Sequence, residues 1–352
     1  MKILYLINSL NIGGAEVLLL NITENLKLKG HEVTILCLED GHDHIKEKAK
    51  EKNITWTTLE GKRYFSLFEM LAYVRANGPY DICHTHLYPA FLYGVILKIF
   101  SSVKVLLHSE HNTTNNRRKW WFKPIDRFLY RCVNSVVSIS EGVSKELVKW
   151  LPELDSRITV IFNCINFSEK KEVYSLGENL KLLCVGRLVE DKNIFLQLNA
   201  LKYAEKTCID YVGNGHLLQE LNDYAYKQNV NHKVRFLGPI KNLETIYKNY
   251  DALVHSSKIE GFGLVVAEAI SAGLPVIIGN ISGVREVAGD LGIYFDVNDE
   301  KSLVDKINIF KEMSAEQRAA LGVLLIERSQ LFSIDSYVNQ LTTLYQELIE
   351  VK

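Results

Sequence analysis

Short runs of apolar and β-branched residues alternate with helical patterns along the whole chain, and this alternation constrains the fold more than any other feature. The runs are continuous in hydrophobicity, which is typical of strands buried on both faces of a parallel sheet. The predicted strands are Lys2–Ile7, Glu32–Leu38, Ile82–His84, Val105–Ser109, Ser135–Ser138, Leu180–Val185, Ile209–Val212, Val234–Leu237, Ala252–His255 and Pro275–Ile278. The predicted helices between them include Ala15–Leu28, Tyr88–Ile99, Ile125–Cys132, Gly142–Trp150, Ile194–Ala204 and Leu243–Tyr250. This alternation predicts an α/β fold with doubly wound parallel sheets.

The alternation starts twice within the 352 residues, each time with a strand that leads into a glycine. We therefore predict two Rossmann-like domains, residues 1–165 and 166–333, that face each other across a cleft. The polar stretch Asn166–Asn179 is predicted to be a linker. Residues 334–352 carry apolar side chains at helical spacing, from Tyr337 to Leu348, and are predicted to form a C-terminal helix that docks on the protein.

Composition excludes several classes of protein. Lys and Arg number 41 against 42 Asp and Glu, and this balance gives no strongly basic surface, so we expect no nucleic-acid partner. The six cysteines show neither a CxxC pair nor a zinc-ligand spacing, which favours buried thiols in a reducing compartment. The most apolar stretch, Phe91–Leu107, contains two lysines and a serine pair and is a poor membrane span. The chain is predicted to be cytoplasmic.

The segment Glu260–Glu268 is the strongest indication of a binding site. It places two carboxylates eight positions apart across glycines that precede a predicted helix, Leu264–Ala272. Glycines let the backbone approach a ligand closely, and the start of a helix favours a phosphate. Paired carboxylates suit the hydroxyls of a sugar or ribose. A predicted strand lies on either side, so the pair falls where open α/β sheets bind ligands. These features predict a site for a nucleotide sugar.

Further glycines and cations mark the predicted phosphate-binding turns. Gly186 and Arg187 follow a predicted strand, and Lys192 comes five residues after the arginine. Arginine holds phosphate oxygens with two donors, and lysine adds a point charge. Gly13 and Gly14 lie between the first strand and the first helix, where they either approach an anion or only turn the chain. Gly213 ends another strand and leaves the same two interpretations open.

Three histidines of the first half are candidate site residues. His84 and His86 share one side of an extended strand, and His111 follows the next predicted strand. A zinc site is an alternative, but the sequence shows no further ligand set, and no metal is predicted. We predict instead that His84 and His86 lie on the acceptor side and that His111 contacts the sugar or the reacting centre.

Taken together, these segments resemble the retaining glycosyltransferases of family 4, which have the GT-B fold. The resemblance covers nearly the full length. It is carried by Gly13-Gly14-Ala15-Glu16, His108–Asn112, Ser138–Glu141, Val185-Gly186-Arg187 with Lys192, Val212–Gly215, and above all Glu260–Glu268 followed by Ala272–Val276.

The resemblance implies a role for each candidate residue. Arg187 and Lys192 would neutralise the donor diphosphate, which is the leaving group, and Gly186 and Gly213 would lie beside it. Glu268 would hold the ribose hydroxyls. Glu260 would contact the transferred sugar, and the backbone of Gly261, Phe262, Gly263 and Leu264 would enclose the phosphates and sugar. Gly13 and Gly14 would close over the donor, and His111 would steady the sugar or its developing charge. The C-terminal helix would cross back to the first domain.

The chemistry that the resemblance implies needs neither cofactor nor metal. Two cations and a helix terminus stabilise a departing diphosphate, and no Asp-x-Asp pair of the metal-dependent transferases occurs in the chain. The sequence also shows no obvious carboxylate nucleophile for a double displacement, so same-face attack is the expected retaining route.

The sequence departs from the family pattern at two places. Asn163-Cys164-Ile165-Asn166 stands where many relatives have Asn-Gly-Val-Asp, and His255 stands where a proline is common. Neither departure is expected to touch the proposed chemistry.

A basic and aromatic cluster, Arg117–Lys123, is either a patch that contacts the membrane surface or a solvated loop. The first interpretation fits a lipid-linked acceptor and a peripheral location at the inner face of the cell membrane. The predicted function is transfer of a sugar from a UDP- or GDP-linked donor to a hydroxyl of a glycan or lipid-linked acceptor in bacterial surface-glycan synthesis. The alternatives are a GT-B sugar-nucleotide epimerase and a non-catalytic sugar-nucleotide-binding partner subunit.

Overall fold

The computed structural model describes residues 1–11, 14–60, 67–100, 103–111, 113 and 118–350. The chain divides into two compact units. The first consists of Met1–Cys164 together with Ile334–Lys352, and the second of Ile165–Ser333. The sequence boundaries at residues 165/166 and 333/334 lie within one residue of these limits.

The first unit is built on a parallel sheet with helices on its faces. Its strands are β1 (Lys2–Ile7), β2 (Glu32–Cys37), β3 (Trp56–Thr58), β4 (Ile82–His86), β5 (Val105–Glu110), β6 (Ser135–Ser138) and β7 (Ile158–Val160). Its helices include α1 (Gly14–Leu28), α2 (Asp43–Glu51), α3 (Leu67–Asn77), α4 (Ala90–Phe100), α5 (Lys123–Cys132) and α6 (Glu141–Trp150). Within the described residues the strand order is β3-β2-β1-β4-β5-β6-β7.

The second unit repeats this arrangement. Its strands are β8 (Leu180–Val185), β9 (Thr207–Val212), β10 (Val234–Gly238), β11 (Ala252–His255), β12 (Val276–Gly279) and β13 (Ile293–Phe295). Its helices are α7 (Ile194–Ala200), α8 (Leu218–Lys227), α9 (Leu264–Ser271), α10 (Ser282–Ala288), α11 (Glu300–Glu312) and α12 (Ala315–Ser329). The strand order is β10-β9-β8-β11-β12-β13. Both sheets therefore have the doubly wound Rossmann order, and the predicted fold class is confirmed.

The central strands are apolar throughout because both faces of each sheet are covered. In β1, Ile3, Tyr5 and Ile7 pack in one core cluster, while Leu4 and Leu6 pack in the cluster on the opposite face. This packing is the physical reason for the continuous apolar runs in the sequence.

The chain ends in a long helix, α13 (Ile334–Glu350), which belongs to the first unit. It contacts α1, and its Tyr337, Val338, Leu341 and Tyr345 lie in the same core cluster as β1. The predicted return of the C-terminal helix to the first domain is therefore confirmed.

Two predicted segments differ in the structure. Asn166–Asn179 has almost no regular structure, but it is fixed to the second unit and is not a free linker. Its Lys171 donates to the carbonyl of Tyr250, and the hydroxyl of its Tyr174 donates to the carbonyl of Gly273. Leu243–Tyr250 is not an α-helix. It forms two short 3-10 turns although its apolar residues recur at helical spacing, because a segment of this length becomes α-helical only where tertiary packing supports it.

Further 3-10 turns connect the regular elements. They are Trp120–Phe122, Pro152–Arg157, Glu190–Lys192, Asn231–Lys233, Gly289–Leu291 and Gln330–Phe332. In the described part of the chain, no helix combines the length and the apolar character that crossing a bilayer requires.

Candidate active site

The second unit has its topological switch point between β8 and β11. The two strands are neighbours, and the helix connections leave them in opposite directions along the sheet. Their carboxyl ends carry Gly186 and His255, so the turns that follow reach the same edge of the sheet. Ligands of open α/β sheets bind in the crevice at such a point. The sequence candidates Arg187, Lys192 and Glu260 all lie in these two turns.

A buried serine joins the two turns. The hydroxyl of Ser256 lies 2.8 Å from the carbonyl oxygen of Lys192, and it accepts a 2.7 Å hydrogen bond from Nε2 of Gln197. The backbone N–H of Lys258 also donates to the carbonyl of Asp191. These bonds cross between the β8–α7 and β11–α9 connections, so they fix the turn that carries Lys192 against the turn that carries Glu260.

Lys192 and Glu260 form an ion pair. Nζ of Lys192 lies 2.7 Å from Oε2 of Glu260, and each side chain is 21% exposed. Burial alone would raise the pKa of Glu260, but His255 and Lys192 outweigh burial and lower this pKa from 4.5 to about 2. Glu260 is therefore a carboxylate at any physiological pH, and it is already bound to one of the two cations predicted for the donor diphosphate.

His255 contacts the same carboxylate, which corrects the expectation that this departure from the family pattern lies apart from the chemistry. Its Nε2 is 3.3 Å from Oε2 of Glu260, and its side chain is buried at the end of β11. The distance permits an ion pair when the imidazole is protonated, although the approach lacks the angles of a good hydrogen bond. No pattern in the sequence indicates this contact, because strand alternation alone does not tell which residue of the following turn folds back on the strand end.

Arg187 differs from Lys192 in having no side-chain partner in the described part of the chain. Its side chain is exposed, and within the described residues its guanidinium makes no hydrogen bond or ion pair. An arginine that follows a strand at the switch point and keeps its donors unoccupied is well suited to bind an anion.

The glycine turn before α9 comprises residues 261–263, and its backbone, more than its side chains, faces the candidate site. Gly263 has φ +88° and is the N-cap of α9, a conformation that L side chains rarely adopt. The Phe262 ring is buried and packs edge-on against Phe332. Its side chain is therefore part of the core, so the donor contacts predicted for Gly261, Phe262, Gly263 and Leu264 would have to be made by the backbone and not by the phenylalanine ring.

Glu268 lies in α9 with its carboxylate against a buried tyrosine. The hydroxyl of Tyr247 donates a 2.7 Å hydrogen bond to Oε2 of Glu268. Burial raises the pKa of Glu268 to about 7; the bond from Tyr247 lowers it and the charge of Glu244 raises it. Glu268 as a residue is partly exposed, and its other carboxylate oxygen makes no hydrogen bond within the described residues. Tyr247 was missed in the sequence because its segment was predicted to be an ordinary helix.

Gly213 has a packing role that the sequence left open. A Cβ at this position would lie 2.0 Å from the carbonyl oxygen of Gly186, and Gly213 has φ +131°. The ends of β8 and β9 therefore approach each other through these two glycines, and Gly186 keeps its place beside Lys192, whose Cε would lie 3.5 Å from a Cβ on Gly186.

The histidines lie in the first unit, at the ends of β4 and β5. His84 and His86 are fully buried and stack on each other, with ring centroids 4.7 Å apart. His84 hydrogen-bonds Tyr345 of α13 at 2.6 Å and Ser109 at 2.8 Å. Neither side chain offers surface to an acceptor, so the predicted acceptor-side contact is not available in this structure. Their position shows instead that they support the end of the sheet.

His111 is the most accessible of the three. Its Nε2 lies 3.1 Å from Nδ1 of His86, which fixes the ring orientation. Burial lowers the pKa of His111 to about 4, partly offset by Glu110. A neutral imidazole is therefore present at pH 7, and it suits a hydrogen bond to a sugar hydroxyl better than the neutralisation of a phosphate. Gly14 begins α1, whereas Gly13 lies outside the described residues.

The described residues hold no group of three or more His, Cys, Asp or Glu side chains arranged to bind a metal ion. His84, His86 and His111 lie close together, but both ring nitrogens of His84 are bound by Tyr345 and Ser109, and Nδ1 of His86 faces Nε2 of His111.

The chain is similar to known glycosyltransferases. The family model described as glycosyl transferases group 1 matches residues 166–322, and the model described as glycosyltransferase family 4 matches residues 12–169. The UDP-Gal:alpha-D-GlcNAc-diphosphoundecaprenol alpha-1,3-galactosyltransferase of Escherichia coli is 25% identical over 331 residues, which cover 84% of each chain.

Two further proteins are similar over most of their length. A Campylobacter jejuni enzyme is named GalNAc-alpha-(1->4)-GalNAc-alpha-(1->3)-diNAcBac-PP-undecaprenol alpha-1,4-N-acetyl-D-galactosaminyltransferase. It is 25% identical over 328 residues, which cover 88% of each chain. The crystal structure of Anabaena HepE in complex with UDP has a TM-score of 0.85 at 18% identity and covers 99% of this chain and 100% of that one.

The fold and the two matching models define a glycosyltransferase of the GT-B type. The models together span residues 12–322, and the chain belongs to glycosyltransferase family 4. It is related to transferases that build bacterial surface glycans. The predicted family and the predicted transferase class are thereby confirmed.

Proposed function

We propose that the protein transfers a hexose or N-acetylhexosamine from a UDP-sugar, with retention of configuration and without a metal, to a hydroxyl of a lipid-linked glycan at the cytoplasmic face of a bacterial membrane. The observation that carries the proposal is the pairing of Lys192 with Glu260 beside the unpaired Arg187 at the switch point of the second unit. This arrangement offers two cations and one ionised carboxylate in adjoining turns.

The donor assignment rests on similarity and on Glu268. The Escherichia coli relative is named for UDP-Gal, and the Anabaena HepE structure contains UDP. In this chain Tyr247 binds one oxygen of Glu268, and the other makes no hydrogen bond among the described residues, so the carboxylate can accept from a ribose hydroxyl. Because GDP shares that ribose, the base is the part of the donor that the experiment below has to decide.

In the proposed reaction the bond between the anomeric carbon and the diphosphate oxygen breaks, and its electron pair stays on the diphosphate. Arg187 and Lys192 stabilise the charge that develops there. Lys192 has three donors and can bind a phosphate oxygen while it still contacts Glu260. The acceptor oxygen attacks the same face, and its proton passes to the departing phosphate oxygen. Glu260, held by Lys192 and His255, contacts the sugar and is not required as a nucleophile.

The acceptor assignment also rests on the relatives. Both the Escherichia coli and the Campylobacter jejuni enzymes are named for acceptors on a diphosphoundecaprenol carrier. A carrier of that kind holds its glycan at a membrane surface, so we propose that this protein works there too.

The test is a transfer assay in EDTA with UDP-glucose, UDP-galactose, UDP-N-acetylglucosamine and GDP-mannose, and with a polyprenyl-diphosphate-linked N-acetylglucosamine as acceptor. Chromatography detects the released nucleotide, and the proton NMR coupling of the product gives its anomeric configuration. We expect one UDP-sugar to give an α-linked product. Transfer only from GDP-mannose would overturn the donor assignment, and a β-linked product would overturn retention.

Two variants connect the assay to the site. Arg187→Ala should lower kcat/KM by roughly 10- to 100-fold, as expected when a charged hydrogen bond to the leaving group is lost. Lys227→Ala is the matched control, because Lys227 is exposed on α8 and has no partner within the described residues. Equal losses in both variants would contradict a specific role for Arg187.

A further inference from the structure

The outer face of α5 exposes an unusual number of large apolar side chains. Trp120 is 80% exposed, Trp121 56%, Ile125 48% and Phe128 56%, all within residues 120–128. Trp121, Ile125 and Phe128 are four and three positions apart, so they share one side of the helix and of the 3-10 turn that precedes it. A surface helix normally carries polar residues on this side. We call these four side chains the α5 face.

The opposite side of α5 packs on the core of the first unit, so within the described residues the α5 face makes none of the core contacts that hold the helix in place. Leu129 and Tyr130 are buried in the core, and the buried carboxylate of Asp126 accepts a 3.0 Å hydrogen bond from Nε1 of Trp150. The helix thus has a complete inner face. An outer face of three aromatic rings and an isoleucine indicates a binding surface.

The charge around the α5 face selects its partner. Residues 118–132 contain five basic side chains and one acid, 5 − 1 = +4, and the acid is the inward-facing Asp126. Arg118 lies near Glu110, and Arg127 pairs with Glu153. Lys119 and Arg131 remain exposed at the two ends of the face. A second copy of the chain would present the same positive rim in a symmetric contact, and the like charges would repel.

We propose that the α5 face binds the surface of a bilayer that contains anionic phospholipid. Tryptophan and phenylalanine enter the boundary between headgroups and acyl chains, and lysine and arginine at the rim meet the negative headgroups. In this proposal α5, which is only ten residues long, lies along the bilayer surface and does not cross the bilayer. The inference deepens the proposed function, on which it rests for its purpose: docking at the bilayer brings the enzyme to a lipid-linked acceptor.

The test is flotation of the full-length protein with two kinds of vesicle, phosphatidylcholine alone and phosphatidylcholine with 30% phosphatidylglycerol. We expect wild type to float with the anionic vesicles and to be released by 0.5 M salt in part, because the apolar contact persists when charges are screened. The double variant Trp121→Ser/Phe128→Ser should bind the anionic vesicles at least about tenfold more weakly, since two large apolar groups are lost. Lys119→Gln should weaken binding to anionic vesicles only.

The matched control is Phe68→Ser, which removes an 83% exposed phenylalanine from α3 of the same unit. It should leave vesicle binding unchanged. Wild type that does not bind anionic vesicles, or binding that falls equally in Phe68→Ser and in the double variant, would overturn the proposal. A change of oligomeric state in the double variant without vesicle binding would assign the face to a second copy and would also overturn it.

Failure of this inference can be told apart from failure of the proposed function. UDP binding and hydrolysis of the UDP-sugar in solution do not involve the α5 face, so the double variant should retain both within about twofold, as expected for exposed substitutions. A double variant that keeps UDP binding, loses vesicle binding and transfers poorly to a lipid-linked acceptor is the result that we expect.

Discussion

Replacing Lys192 by methionine tests how much the ion pair contributes to folding. In the folded protein His255 and Lys192 outweigh burial and lower the pKa of Glu260 from 4.5 to about 2. A pKa difference of that size between the folded and the unfolded state contributes about 3 kcal/mol to the free energy of unfolding at neutral pH. Lys192 lies at 2.7 Å and His255 at 3.3 Å, and both side chains of the pair are partly screened. We therefore assign roughly 2 kcal/mol to Lys192.

The pH dependence gives the prediction its sign. The pKa of Glu260 is lower in the folded state than in the unfolded state, so the contribution is complete above about pH 4.5 and disappears as the pH falls through about 2. Urea unfolding should show Lys192→Met to be less stable than wild type by about 2 kcal/mol at pH 7 and by about 1 kcal/mol at pH 3.

Two controls separate the charge effect from a packing effect. Lys227→Met, an exposed substitution in α8, should change the free energy of unfolding by less than about 0.5 kcal/mol. In a Glu260→Gln background, Lys192→Met should cost little, because the double-mutant cycle removes the partner first. A loss of stability that is the same at pH 7 and pH 3, or that persists in the Glu260→Gln background, would refute the reasoning.

Three more predictions follow from the site. Tyr247→Phe removes the bond that lowers the pKa of Glu268, which is about 7, so the pH midpoint of UDP affinity should move upward from near 7 in calorimetric titrations between pH 6 and 8; an unchanged midpoint would contradict the role of Glu268. Burial lowers the pKa of His111 from 6.5 to about 4, so this group opposes folding increasingly as the pH falls through that range. Between pH 7 and pH 5 the free energy of unfolding, measured in urea, should fall by up to about 2 kcal/mol more in wild type than in His111→Asn. The same fall in both proteins would exclude this role of His111. Gly213→Ala places a Cβ 2.0 Å from the Gly186 carbonyl and should lower the unfolding free energy by about 2 kcal/mol or more, whereas an unchanged thermal midpoint would show that the strand ends can separate.

Most of the fold was predictable because the physics that forms it is local. Strands buried on both faces need continuous apolar runs, and β1, β6, β8 and β11 begin and end at the residues predicted from those runs. The strands that the sequence analysis missed, β3, β7 and β13, have three residues each and only partly buried side chains in most positions. Such segments are too short for a pattern to emerge.

The candidate site was predictable in its motifs and not in its contacts. The glycine turn before α9 and the residues of the β8–α7 turn could be recognised because their order along the chain is distinctive. The contact of His255 with Glu260 and the bond from Tyr247 to Glu268 depend on how turns fold back, which the sequence does not encode locally.

The histidines illustrate the same limit. Their spacing places His84 and His86 on one side of a strand, but the hydrogen bond of His84 with Tyr345 joins residues 261 positions apart along the chain. Only the packing of α13 on the first unit shows that His84 is a structural residue.

The central claim is that Arg187, Lys192 and Glu268 form a metal-independent site for a uridine diphosphate. Calorimetric titration of UDP in EDTA, with wild type, Arg187→Ala, Glu268→Gln and the control Lys227→Ala, tests it most directly. We predict that wild type and Lys227→Ala bind UDP equally and that the two site variants bind roughly 10- to 100-fold more weakly. UDP binding that requires a divalent cation, or that is unchanged in both site variants, would contradict the account.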